Sequence, residues 1–205
     1  MVRRTKAEAE QTRQQIIDAA RRVFHAHGVS RSTLDQIARE AGVTRGAVYW
    51  HFQDKQDLFY AMREQATLPL VDQVDESLLD ESLDDPLDAI ATAILRILTA
   101  MEEDPNAREV FQIMNSRCEY VAEFVPVLWR IHSSCDEFGT KLERVYRRAA
   151  ERGLLRPGLD PGLLARDSVA FVTGVVDRWL AEPGPALVGQ DLRDLVAQHV
   201  ALRRA

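Results

Sequence analysis

The sequence predicts an all-α protein of about nine helices, with short helices near the N-terminus and a longer helical bundle after them. Three observations predict it. Apolar residues recur at the i, i+3, i+4, i+7 spacing of one helix face. Sustained apolar–polar alternation and Asn-Gly or Asp-Gly hairpin signals are absent. Helix starts and stops (Asp-Pro pairs, Ser/Thr/Asp caps, terminal glycines) punctuate the chain.

The first element spans about 10–27. Ile16, Ile17, Ala20, Val23 and Phe24 form its apolar face, and Gly28 suits its C-terminal cap. Ser32 and Asp35 read as a capping box opening a second helix, about 33–41, striped by Leu34, Ile37, Ala38 and Ala41. Gly42 ends it. After the turn Gly42-Val43-Thr44, Thr44 caps a third short helix, about 45–51, with Ala47, Val48 and Phe52 as inner contacts. Asp54 caps a fourth, which begins near Lys55, buries Leu58, Phe59 and Met62, and runs on towards residue 80.

The remaining helices are longer. Pro86 after Asp85 opens one to about 102, with Leu87, Ile90, Ala91, Ile94, Leu98 and Met101 on one face. Asp104-Pro105 repeats the signal for a helix to about 116. Another covers roughly 127–152, with Pro126 marking its start or a kink and Gly153 at its end. Asp160-Pro161 starts a helix to about 181, stopped before Pro183-Gly184-Pro185, and a last helix covers about 190–202. The acidic run Asp75 to Asp85 reads as a solvated helix end and loop.

The 205 residues are 46% hydrophobic and 28% charged, the balance of a globular protein with a core of its own. No apolar run is long enough for a membrane span, and the basic N-terminus lacks the apolar stretch of a secretory signal. This predicts a cytoplasmic protein. Cys118 and Cys135 make no disulfide framework and read as free thiols. Residues 1–66 carry 11 Lys and Arg against 8 Asp and Glu, a balance of +3; the whole chain stands at −6, so the rest carries −9. The first part is therefore the one suited to a polyanion.

The second helix, a tight turn and the third helix make a helix-turn-helix. The third helix carries GVTRGAVYWHF, too polar and aromatic to be buried on all sides. Gly46 leaves its first turn bare, which allows close backbone approach to DNA. Lys55 places a cation in the first turn of the fourth helix, against the helix dipole, which suits a phosphate better than a structural role. Trp50 has two readings, packing beneath the fourth helix or lining the DNA edge, and the aromatic preference for burial favours packing.

The stretch TLDQIAREAGVTRGAVYWHFQDKQDLF resembles the DNA-binding signature of the TetR family of bacterial repressors, over about residues 10–66. The opening MVRRTKAEAEQTRQQIIDAA and RGAVYWHF are further similar to the AcrR-like multidrug-efflux repressors of that family. NSRCEYVAEF, residues 115–124, resembles a segment of their ligand domain. The resemblance implies a three-helix DNA-binding domain at 1–66 and a bundle for ligand binding and dimerisation at 67–205. It places Thr44, Arg45, Gly46, Tyr49, His51 and Lys55 on the DNA-facing side. Arg45 is the candidate for a base-edge contact, since arginine pairs well with guanine. Thr44, Tyr49, His51 and Lys55 are candidates for phosphates, joined by Ser32 and Thr33, and a basic arm, Arg3, Arg4 and Lys6, is a candidate for the backbone or the minor groove.

The resemblance also implies a homodimer on a palindromic operator, with its contact on the last two helices. Phe171, Val172, Val175, Val176, Trp179, Leu192, Leu195 and Val196 are the contact candidates, with the domain's own core as the alternative for each. A small hydrophobic ligand is implied in the second part. Phe111, Met114, Asn115, Cys118, Glu119, Val121, Trp129 and Phe171 are candidate lining residues, and plain core is again the alternative. No cofactor and no metal is expected: His132 and Cys135 share a helix face but lack further ligands. Enzyme motifs such as GxSxG, HExxH or a phosphate-cradling glycine loop are absent. The competing readings are a TetR-type regulator answering to a metabolite, a redox sensor using its cysteines, and a helical enzyme or interaction module without DNA binding.

Overall fold

The computed structural model describes residues 6–80, 83–181 and 189–205. Among these there are nine α-helices: α1 (Lys6–His27), α2 (Leu34–Glu40), α3 (Arg45–His51), α4 (Lys55–Leu79), α5 (Pro86–Glu103), α6 (Pro105–Ser116), α7 (Val125–Glu151), α8 (Pro161–Leu180) and α9 (Gln190–Ala201). A 3-10 turn, Ala122–Phe124, precedes α7. No helix among the described residues is long and apolar enough to cross a membrane. The expected arm residues Arg3 and Arg4, the Pro183-Gly184-Pro185 stop and part of the acidic run lie outside the described residues.

The chain divides into two compact units. The first takes the described residues through Thr67 together with Asn106–Leu128; the second takes Leu68–Pro105 and Trp129–Ala205. The expected division is linear, after residue 66, whereas the first packing unit runs through Thr67 and also takes in residues 106–128. The reason is a set of bonds from α1 and its C-terminal turn. Arg21 pairs with Glu109, His25 Nε2 lies 2.9 Å from Gln112 Oε1, and Val29 N donates to Arg117 O at 2.8 Å. Gly28 makes that last approach possible. Its φ is +79°, and a Cβ there would stand 3.4 Å from Arg117 O.

In the first unit α1 buries the predicted face, Ile16, Ile17, Ala20, Val23 and Phe24. Phe59 lies against Phe24 and takes Phe124 edge-on at 5.6 Å. The α2–α3 turn is a left-handed glycine cap. Gly42 has φ +68°, Gly42 N donates to Arg39 O and Val43 N to Ala38 O. The α2 capping box is shifted by one residue from expectation. Thr33, not Ser32, accepts from Gln36 N, and Gln36 Oε1 accepts from Thr33 N at 2.8 Å. Asp54 caps α4 as expected, accepting from Asp57 N at 2.8 Å.

In the second unit α5 buries Leu87, Ile90, Ala93, Ile94, Leu98 and Met101, with Asp85 and Pro86 opening it. Helix α9 packs on α5, and Arg204 pairs with both Asp85 and Asp88. The acidic run is therefore not all solvated. Asp75 accepts from Lys141 Nζ at 2.5 and 2.6 Å, and Asp85 is both a cap and an ion-pair partner.

The expected dimer candidates differ in burial. Val172, Val175, Trp179, Leu192 and Val196 are buried within the chain itself and belong to the core. A side chain already covered on nearly all sides has little left to give a partner. Val176 and Leu195 are half-buried. Phe171 is half-buried and stacks on the His199 ring at 3.8 Å. His199 itself belongs to a buried polar chain in which Tyr146 Oη meets Ser168 Oγ at 2.8 Å and Ser168 Oγ meets His199 Nε2 at 3.0 Å.

Candidate nucleic-acid interface

Helix α3 has only seven residues, so its inward side is small. Val48 is buried there, and Phe52 at its C-terminal end is 2% exposed. Thr44 caps the helix, its hydroxyl accepting from Ala47 N at 3.2 Å. Most of the rest turns outward: Thr44, Arg45, Gly46, Tyr49 and Trp50 are exposed, and Ala47 and His51 are half-buried. Trp50 is 72% exposed, with its ring edge-on to His51 at 4.5 Å. The packing reading favoured for Trp50 is thus corrected. Two residues past Val48 is about 200° around a helix, so the face opposite the core was its place all along. That signal stood in the sequence, and the general preference of aromatics for burial obscured it.

The Arg45 guanidinium is held by its neighbours. Nη1 donates to Asp35 Oδ2 at 3.3 Å, Nε lies 3.1 Å from Asp35 Oδ1, and Nη2 donates to Tyr49 Oη at 3.3 Å. The hydrogen bond to Tyr49, and then the charge of Asp35, raise its pKa from an already high value, so the charge is permanent. Among the described residues nothing requires a glycine at position 46. A Cβ there would meet only Thr44 Oγ1, at 3.9 Å.

Two of the expected phosphate residues face elsewhere. Ser32 is 2% exposed, and its hydroxyl donates to Gly28 O at 2.6 Å, inside the fold. Lys55 does have a structural role. Its Nζ donates to Val29 O, Ser30 O and Ser32 O at 3.0, 3.4 and 3.2 Å, and stands 5.6 Å from the Phe124 ring centre. An ammonium has three N–H groups, and three carbonyls of the α1–α2 loop take them up. The unfavourable placement against the helix dipole is thereby compensated. Replacing Lys55 by Met is expected to lower stability by about 1–2 kcal/mol in urea denaturation. The salt dependence of DNA binding stays the same; a slope shallower by about 1 would return Lys55 to the phosphate contacts. Thr33 is exposed, its hydroxyl engaged in the α2 cap.

The expected ligand residues are divided between the two units. Phe111, Met114 and Cys118 are half-buried in the first unit, while Asn115 and Glu119 are exposed on it. In the second unit Trp129 is 68% exposed, edge-on to His132, and Phe171 is engaged with His199. Val121 is 61% exposed. Spacing along a helix predicted apolar faces, and such faces serve core and surface alike. Burial also pushes the Cys118 thiol up to about 11, so it stays protonated at neutral pH. A protonated, half-buried thiol is a poor oxidant sensor. Among the described residues no group of three metal-ligating side chains forms.

Comparison with known proteins decides the family. Residues 16–62 match the bacterial regulatory proteins of the tetR family, and residues 85–204 match the C-terminal region of MAATS-type transcriptional repressors. The chain belongs to the TetR family. It is 32% identical to the HTH-type transcriptional regulator AcrR of Shigella flexneri over 197 residues, 96% of this chain and 91% of that one. Among solved structures it resembles NalD, the secondary repressor of the MexAB-OprM multidrug efflux pump in Pseudomonas aeruginosa, with a TM-score of 0.85 and 33% identity over 98% of both chains. It also resembles SmeT, repressor of the Stenotrophomonas maltophilia multidrug efflux pump SmeDEF, in its complex with triclosan. There the TM-score is 0.81 and the identity 31%, over 95% of this chain and 92% of that one. As a TetR-family member this protein is a DNA-binding transcriptional repressor and not an enzyme, and α2–α3 is its helix-turn-helix.

Proposed function

We propose that this repressor acts in the cytoplasm as a homodimer, holds a palindromic operator through the outer face of α3, and controls a multidrug efflux operon. A small hydrophobic ligand releases it. The observation that supports this reading most is the outer face of α3. Arg45, Tyr49 and Trp50 stand exposed beside a glycine that nothing among the described residues requires. Arg45 reads a base edge; Thr44, Tyr49 and His51 engage the backbone; Gly46 lets the duplex come close; Trp50 adds an apolar contact surface. Thr33 sits at the start of α2 as a further backbone contact.

One seven-residue helix offers too few contacts for a selective site, and two copies on a palindrome double them. Phe171, Val176 and Leu195, half-buried on α8 and α9, are the members of the expected dimer set with surface still to offer. The efflux reading is supported by the likeness to NalD and SmeT, and the hydrophobic ligand by the triclosan complex of SmeT. For release, the ligand must bind the DNA-free form better than the DNA-bound one. A coupling of about 1–3 kcal/mol weakens operator binding about 5–150-fold.

The test is fluorescence anisotropy with a labelled duplex from upstream of the protein's own gene, over a salt series, with and without triclosan. Selective, salt-sensitive binding that triclosan reverses is the expected result. Selective binding that triclosan and other hydrophobic drugs leave untouched would overturn the efflux reading and favour a metabolite as signal. Absence of selective binding to any duplex recovered from a random pool would overturn the operator reading.

A further inference from the structure

We infer that Asp35 is a positioning residue for sequence readout: it holds the Arg45 guanidinium, together with Tyr49, in the arrangement from which it meets a base. This rests on the base-reading role proposed above for Arg45. Asp35 is an acidic side chain beside a surface meant for phosphates, where its charge by itself weakens binding. It sits in the first turn of α2, where the helix dipole favours a carboxylate, but it is not the cap. The α2 cap is made by Thr33 and Gln36, so the Asp35 carboxylate takes no part in it. Its carboxylate instead spans the turn to α3, with Oδ2 accepting from Arg45 Nη1 and Oδ1 lying 3.1 Å from Nε.

Tyr49, one turn along α3, accepts from Nη2 and lays its ring 5.3 Å from the guanidinium carbon. Asp35, Arg45 and Tyr49 are all exposed, so this cluster does not stabilise a core. Arginine is long and flexible, and a guanidinium held in place loses less freedom on binding. It carries five N–H groups. One donates to Asp35 and one to Tyr49, which leaves others for the two acceptors of a guanine. The carboxylate thus exchanges some general attraction for DNA against a fixed reading head.

The experiment compares Asp35→Asn and Asp35→Glu with the wild-type chain. It uses a duplex selected by the wild-type chain from a random pool and a random-sequence duplex of the same length. Positioning predicts that Asp35→Asn binds the random duplex a few-fold more tightly, one acidic charge having gone. Its selected-to-random ratio falls about tenfold, and Asp35→Glu recovers part of that ratio. In an Arg45→Ala background Asp35→Asn leaves the ratio where Arg45→Ala put it. Equal tightening on both duplexes, or the same loss of ratio with and without Arg45, would overturn the positioning role. Arg45→Ala alone tests the premise. If it keeps full selectivity, the base-reading role fails, whatever Asp35→Asn does. Circular dichroism of each variant separates these outcomes from loss of the α2–α3 fold.

Discussion

Arg45→Ala is expected to lose operator-specific binding by on the order of a hundredfold or more, while its stability stays within about 1 kcal/mol of wild type. Both halves of that expectation come from where the side chain stands. It is exposed on the outer face of α3, so no core cavity opens when it is removed. Its ion pair with Asp35 is exposed on both sides, and such pairs contribute about 0–1 kcal/mol. Its contribution to binding is of another kind. A guanidinium on a base edge discriminates by about 1–3 kcal/mol per contact, and a dimer makes the contact twice. Tyr49→Ala acts in the same direction, since it removes a partner that holds the guanidinium. Competition of a labelled operator against a scrambled duplex measures the selectivity, and a thermal melt measures the fold. Unchanged selectivity would show that Arg45 touches only the backbone or nothing at all.

His199 predicts a dependence of stability on pH. Its ring lies between Phe171 and Ser168 in the second unit, and burial there holds its pKa down to about 4, with the nearby Arg203 charge acting the same way and Asp167 opposing. In the unfolded chain the group titrates near about 6.5. Between those values the unfolded state binds more protons than the folded one, so stability rises with pH. The contribution is fully present above about pH 6.5 and is lost as pH falls through about 4, to a total of at most about 3 kcal/mol. His199→Gln keeps a polar group for Ser168 and removes the titration. Urea denaturation at pH 7.5, 6 and 5 should show wild type losing stability on acidification faster than the variant. Parallel losses would mean that the imidazole is more open to water than its packing indicates.

Part of the interface could be read from residues alone because it depends on local rules. Helical period, caps and glycines set the bounds of α2 and α3, and a seven-residue helix has too little inward surface for Thr44, Arg45, Tyr49 and His51. The contacts that reach across the fold could not be read. Asp35 meets Arg45 only because the Gly42 turn folds α3 back on α2. Lys55 finds its three carbonyls only because the α1–α2 loop comes beneath the start of α4. Ser32 looks like any helix-start serine until the packing of α1 buries it.

The expected ligand and dimer residues show the same limit from the other side. Apolar residues at helical spacing declare a face, not what covers it. Trp179, Leu192 and Val196 turn out to be core, and Trp129 turns out to be exposed. The sequence by itself determined the helices, their caps, the helix-turn-helix and the family signature, since these rest on hydrogen bonds and periods only a few residues long. The tertiary structure alone decided which apolar faces are spent inside the chain, which charges are paired, and which polar groups are buried, since each of these depends on residues brought together from distant parts of the chain.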